Sequence, residues 1–131
     1  MNTQPKKKVM VVEDEESVRE LMCDIYVTGG YDVEAAANGL EGLKLYEKFQ
    51  PDIVITDIKM PEMDGITMAR ELRKTYPKVK VIFVTGWFQE EAISKQLNIE
   101  LRQCPKYRLI QKPFKIETVW RMTDEYLEEQ M

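Results

Sequence analysis

The chain has 131 residues, of which 44% are hydrophobic and 32% charged, an ordinary composition for one globular domain. It contains no histidine and carries a formal net charge of -4. The lack of imidazole excludes Ser-His-Asp and Cys-His catalysis, and the negative charge disfavours direct binding to nucleic acid. No apolar run approaches the roughly 20 residues of a membrane span, so we expect no membrane insertion. The two cysteines, Cys23 and Cys104, predict free thiols in a reducing, cytoplasmic environment.

Five short apolar runs predict five strands, at residues 9–12, 33–37, 53–56, 81–84 and 109–110. Three of these runs are continuous rather than alternating, which is typical of strands that are buried on both faces of a parallel sheet. Glycines and prolines separate these runs from the helical stretches of the chain and indicate turns.

Amphipathic stretches with helical spacing follow the strands. The fourth stretch is the weakest, because residues 97–107 are polar and irregular, and we expect helix four to be short or mobile. The chain is therefore predicted to repeat one strand and one helix five times. Because parallel strands need crossover connections, this order predicts an α/β fold with a doubly wound, open parallel sheet and helices on both faces.

Polar side chains stand at the carboxyl ends of four predicted strands. Glu13 and Asp14 follow strand one, and Asp57 follows strand three. Thr85 follows strand four, and Lys112 follows strand five. Because the carboxyl ends of parallel strands lie at one edge of the sheet, where α/β proteins bind ligands, we expect these side chains to gather there.

Three carboxylates at one edge would repel each other unless a cation lay between them. Mg²⁺ fits best, since it uses one or two carboxylates and completes its shell with water and phosphate oxygens. A lysine suits a phosphoryl oxygen, and an aspartate can accept a phosphoryl group covalently. Taken alone, the acids at residues 13–16 could equally be a helix-start cluster that the helix dipole stabilises.

In these features the chain resembles the receiver domains of two-component response regulators. The resemblance rests on four motifs in the family's order, each at a strand end: Glu13-Asp14, Asp57 with Pro61 and Gly65, Val84-Thr85-Gly86, and Lys112-Pro113-Phe114. It implies a flavodoxin-like (βα)5 fold with sheet order 2-1-3-4-5. It also implies a receiver domain over residues 9–131, preceded by an N-terminal leader at residues 1–8.

The same resemblance assigns roles at the sheet edge. Asp57 would accept the phosphoryl group, while Thr85 and Lys112 would bind its oxygens. Four residues would hold Mg²⁺: Asp14 directly, Glu13 as the second acid, either directly or through a water molecule, Asp57 and, through its main-chain carbonyl, Lys59. The Lys112-Pro113 bond would be cis, a geometry that is found mainly before proline. Such a domain would catalyse only its own phosphorylation and dephosphorylation, and would not be an enzyme in the usual sense.

Two departures from the family's pattern concern signalling. The position three residues before the lysine is usually aromatic, and here it is Leu109. Tyr107 lies two residues earlier, on the same face if the strand is regular. In addition, Trp87 and Lys59 stand two residues past Thr85 and Asp57, so we expect both side chains to flank the phosphoryl entrance and to influence the lifetime of an aspartyl phosphate.

The resemblance also implies partners. The phosphodonor would be a sensor histidine kinase or a histidine phosphotransfer protein, and a downstream protein or an output domain would receive the signal. The face formed by helix four, strand five and helix five would be read by that partner. A homodimer through helix five, with Trp120, Tyr126 and Leu127, stays open, although burial of Trp120 against the sheet is favoured.

Two other functions compete with phosphorylation-dependent signalling. A pseudo-receiver would bind partners without accepting phosphate, and Leu109 is the feature that favours it. A small enzyme of the same fold is the other alternative. A flavin carrier would need a Ser/Thr/Gly-rich loop after strand one, where this chain has acids, and an aspartate phosphatase would need Asp-x-Asp, where this chain has Asp57-Ile58-Lys59.

Overall fold

The computed structural model describes residues 5–86 and 91–129, in which strands and helices alternate as the sequence predicts. The strands are β1 (Lys8–Val12), β2 (Asp32–Ala36), β3 (Ile53–Asp57), β4 (Val81–Thr85) and β5 (Arg108–Gln111). The helices are α1 (Glu16–Thr28), α2 (Gly39–Phe49), α3 (Gly65–Thr75), α4 (Glu91–Gln103) and α5 (Ile116–Glu128). The first strand thus begins at the last residue of the predicted leader.

The five strands form one parallel sheet in the order β2-β1-β3-β4-β5, which confirms the predicted doubly wound α/β fold. The chain first moves outward from β1 to β2 and then returns past β1 to β3, so the strand order reverses beside β1 and β3. In α/β sheets this reversal opens a crevice at the carboxyl ends of the strands. Val12 pairs with Thr56 and Asp57 pairs with Val84, which aligns the carboxyl ends of β1, β3 and β4.

Alternate residues of the strands enter two separate apolar cores, one on each face of the sheet. One core contains Met10, Val54 and Phe83 together with buried residues of α2, α3 and α4. The other contains Val11 and Ile55 with buried residues of α1 and α5. Each fully buried side chain of this size contributes about 1.5–3 kcal/mol through removal of apolar surface from water. The two cores therefore hold the sheet edge in place from both sides.

The expectation of a short fourth helix is wrong. Helix α4 runs for 13 residues, the same length as α1, and it continues through most of the stretch that looks irregular in the sequence. Leu97 and Glu100 are its buried residues, so the helix is anchored by a carboxylate as well as by apolar contacts. In the part of the chain that the structure describes, no helix is long and apolar enough to cross a membrane.

Candidate functional site

Three acids meet at the carboxyl edge of the sheet, as the strand ends predict. Glu13 and Asp14 follow β1, and Asp57 is the last residue of the neighbouring β3. One carboxylate oxygen from each of the three residues lies within 4.8 Å of the others. Residues 43 positions apart in the chain are therefore close enough to share one cation.

Thr85 and Lys112 lie at the same edge, on the next two strands. Thr85 ends β4 and is buried, and its carbonyl oxygen accepts a hydrogen bond of 2.7 Å from the main-chain N–H of Lys112. Lys112 lines a small cavity together with Glu13 and Asp57. The Lys112-Pro113 bond is cis, as the sequence resemblance implies. The five predicted side chains thus come from four strand ends onto one edge.

The electrostatics of the edge centre on Glu13, which is only 5% exposed. The pKa of this carboxyl is raised from its ordinary value of 4.5 to about 8, chiefly by burial and then by the hydrogen bond with Asp57 and the negative charge of Asp57. Lys112 and the N–H of Glu15 act in the opposite direction. Burial and the neighbouring Asp57 therefore favour the protonated form of Glu13 when no cation is bound.

Three contacts fix the main chain and the side chain of Asp57. Its Oδ1 accepts a hydrogen bond of 2.7 Å from the N–H of Ile58, and its carbonyl oxygen accepts one of 2.7 Å from the hydroxyl of Thr56. Gly65 packs directly on that carbonyl oxygen, and a methyl group at this position would overlap with it. Asp64 caps α3 by accepting a 2.7 Å hydrogen bond from the main-chain N–H of Thr67.

The remaining predicted positions have different outcomes. The side chain of Lys59 is exposed in the loop after Asp57, and the role of its carbonyl in metal binding stays a prediction. Trp87 lies outside the described residues. Leu109 of β5 is 39% exposed, whereas Tyr107, just before that strand, is buried with its ring edge-on to Phe83.

Sequence reasoning missed a second buried acid, Glu100 of α4, which is 0% exposed. Its carboxylate pairs with Arg73 and, at 3.3 Å, with Arg70, both on α3. Arg73 also donates a 3.3 Å hydrogen bond to the hydroxyl of Tyr107. The sequence carried a signal for this position, because Glu100 falls on the apolar stripe of α4 that contains Ile93 and Leu97.

The residues at the sheet edge fit a divalent cation. Carboxylate oxygens are the ligands that Mg²⁺ prefers, and here three lie within reach of one another. The pKa of Glu13 is raised mainly by burial and then by Asp57, so a bound cation would favour the charged form that burial opposes. Glu13, Asp14 and Asp57 are the side chains that would bind the ion.

Comparisons with known proteins agree on one family. The model for the response regulator receiver domain matches residues 9–124. The chain is 40% identical to sensor kinase CckA of Brucella abortus over 93% of its own length and 13% of the kinase. It is 36% identical to the chemotaxis protein CheY of Thermotoga maritima over 82% of this chain and 87% of CheY.

Solved structures give the same result. CheY4 of Vibrio cholerae superposes with a TM-score of 0.80 at 27% identity, covering 93% of this chain and 99% of CheY4. The chain spans only small parts of two of its longer relatives, 13% of CckA and 23% of the regulatory protein AtoC of Escherichia coli. Similarity to those proteins therefore concerns the matched segment alone.

Proposed function

Because the chain belongs to the response regulator receiver domain family, we propose that it accepts a phosphoryl group on Asp57 and passes on a signal by changing its surface. The single observation that carries this proposal is the meeting of Glu13, Asp14 and Asp57 within 4.8 Å at the sheet edge, beside Lys112. Such a site combines an acceptor oxygen, ligands for a cation and a positive charge for a phosphoryl oxygen.

The transfer joins a carboxylate oxygen of Asp57 to phosphorus, while the bond from phosphorus to the donor breaks. From a phosphohistidine donor, the electron pair of that bond returns to the imidazole nitrogen. The hydrogen bond from Ile58 N–H fixes Oδ1 of Asp57, which leaves the other oxygen to attack. Phosphoryl transfer has a loose transition state, so orientation and charge neutralisation supply most of its catalysis.

The groups around Asp57 have separate tasks. Lys112 supplies a compact positive charge for a phosphoryl oxygen, and the Thr85 hydroxyl donates to another. Bound Mg²⁺ would supply neutralisation of the negative charge shared by the phosphoryl group and the carboxylates. Glu13 would hold the cation directly only as a carboxylate, since metal ligands must be deprotonated.

The domain would catalyse only its own modification. Water attacks the phosphorus of the acyl phosphate, the oxygen–phosphorus bond breaks, and Asp57 returns as a carboxylate with inorganic phosphate as product. We expect no turnover of other substrates. The two cysteines are free thiols, which agrees with a location in the reducing cytoplasm.

The partners follow from the family and from the exposed surface. The donor would be a sensor histidine kinase or a histidine phosphotransfer protein. The elements α4, β5 and α5 each expose one large apolar residue, namely Ile99, Leu109 and Ile116. As the family implies, this face would contact a downstream protein or an output domain.

Mass measurement of the intact protein tests the proposal. The wild type and Asp57→Asn are incubated with Mg²⁺ and a small acyl phosphate donor, and again with a chelator in place of Mg²⁺. We expect the wild type to gain one base-labile phosphoryl group only with Mg²⁺, and Asp57→Asn to gain none. No gain in the wild type would reject phosphoryl acceptance and favour a pseudo-receiver, whereas repeated consumption of the donor would indicate a phosphatase.

A further inference from the structure

The loop between β1 and α1, residues 13–15, carries two of the three acids but lacks a side-chain cap. At the starts of α2 and α3, Asn38 and Asp64 accept hydrogen bonds of 2.9 and 2.7 Å from main-chain N–H groups three residues ahead. Glu15, at the corresponding position before α1, makes no side-chain cap bond. Within the loop, the N–H of Glu15 donates a long hydrogen bond of 3.4 Å to Oε1 of Glu13.

Arg19 reaches back from the first turn of α1 to this loop. Its Nη1 donates a 2.9 Å hydrogen bond to the carbonyl oxygen of Glu13 and lies 3.4 Å from the carbonyl oxygen of Asp14. Its main-chain N–H donates to the carbonyl of Glu15 at 2.8 Å. One half-buried guanidinium thus ties two successive peptide groups of the loop to the helix.

These contacts bear directly on the acids, because a fixed peptide group fixes the direction in which its side chain leaves the backbone. Hydrogen bonds from a charged donor are stronger than neutral ones. Mg²⁺ demands near-ideal octahedral geometry, so its affinity is sensitive to the direction of each ligand. Groups that orient metal ligands typically change metal affinity 10–100-fold when they are removed.

We propose that Arg19 is a positioning residue for the cation site: it sets the main chain of Glu13 and Asp14 so that their carboxylates converge with Asp57. This inference rests on the metal site of the proposed function. The charge of Arg19 alone would weaken Mg²⁺ binding, since a nearby guanidinium repels a divalent cation. Removal of this charge alone would therefore tighten binding. The sign of the change in affinity therefore separates positioning from simple electrostatics.

Calorimetric titration of the unphosphorylated protein with Mg²⁺ tests the role of Arg19. Arg19→Met keeps an aliphatic side chain but removes both the charge and the hydrogen bonds. We expect it to bind Mg²⁺ about tenfold or more weakly than the wild type. The control is Arg121→Met on the exposed part of α5, which should bind as the wild type does.

Arg19→Lys covers the case in which Arg19→Met does not fold, as judged by thermal unfolding in a chelator. Lysine keeps the charge but loses the planar fork, so we expect weaker binding than in the wild type. Equal or tighter binding in these variants would overturn the role of Arg19 while the proposed function stands. No binding in the wild type would overturn both.

Discussion

Two buried glutamates, Glu100 of α4 and Glu13 after β1, differ in how the protein compensates their charge. Glu100 is enclosed between α3 and α4 with both Arg70 and Arg73 on its carboxylate. Glu13 faces Asp57 instead, and its pKa is raised to about 8 because burial and the second carboxylate both oppose its charge. The protein itself neutralises the charge of Glu100. At Glu13, Lys112 and the N–H of Glu15 offset burial and Asp57 only in part, so a proton or a cation from solution is favoured there.

The two glutamates illustrate a structural and a functional use of a buried acid. A buried charge that is paired and hydrogen-bonded holds helices together, and breaking such a pair is costly. A buried carboxyl whose pKa is strongly perturbed in a cleft beside a second acid marks a functional site. Burial of the Glu13 carboxylate beside Asp57 lowers the free energy of unfolding, and binding of a cation can offset this loss.

We expect the largest change in the free energy of unfolding when the guanidinium of Arg73 beside Glu100 is removed. Arg73→Met leaves the fully buried carboxylate with only Arg70, whose side chain is 43% exposed. We expect a loss of about 3 kcal/mol in the free energy of unfolding, measured by urea denaturation. Lys74→Met, which breaks an exposed pair with Glu71 on the same helix, should cost about 0.5 kcal/mol or less. Similar losses in both variants would show that burial does not distinguish the pairs.

The same substitution at the two glutamates should have opposite signs. At pH 8 without divalent cations, Glu100→Gln loses charge-assisted hydrogen bonds and should destabilise by about 1.5–3 kcal/mol. Glu13→Gln removes the buried charge beside Asp57, and we expect it to raise the free energy of unfolding by about 1–2 kcal/mol. Destabilisation by Glu13→Gln under these conditions would mean that Lys112 and the N–H of Glu15 stabilise the carboxylate more than burial and Asp57 oppose it.

The pH dependence of stability gives a third test. Unfolded Glu13 loses its proton near pH 4.5, whereas folded Glu13 keeps it to about pH 8. Between these values the folded state binds more protons, so this group lowers the free energy of unfolding as the pH rises. In a chelator, the wild type should lose stability relative to Glu13→Gln from about pH 4.5 to 8. A constant difference between the two proteins across this range would contradict the raised pKa.

The smallest effect is expected at Tyr107. Tyr107→Phe keeps the edge-on contact with Phe83 but removes the hydroxyl that accepts from Arg73. We expect a loss of about 0.5–1 kcal/mol in thermal or chemical unfolding. A loss as large as that of Arg73→Met would place the hydroxyl, rather than Glu100, at the centre of this cluster.

The fold and the sheet edge could be predicted because each rests on local patterns. Continuous apolar runs indicate buried parallel strands, and topology then brings every strand end to one edge, which places Asp14, Asp57 and Lys112 together. The length of α4 could not be predicted in this way. Its polar stretch is stabilised by Glu100, whose partners lie 27 and 30 residues earlier on another helix.

The contact of Arg19 was missed for a related reason, since it joins a side chain to carbonyl groups that carry no sequence signal. The proton on Glu13 depends on burial and on the distance to Asp57, which only the folded chain determines. Local pattern therefore gives the position of the acids, and three-dimensional packing gives their charge.

The number of protons released when Mg²⁺ binds tests the protonation of Glu13 most directly. Calorimetric titrations at pH 7 in buffers of different ionisation enthalpy measure this number. Because the pKa of Glu13 is about 8, the wild type should release close to one proton per bound ion, and Glu13→Gln should release almost none. Binding of Mg²⁺ to the wild type without proton release, or equal release by both proteins, would contradict the claim that Glu13 holds a proton in place of the cation.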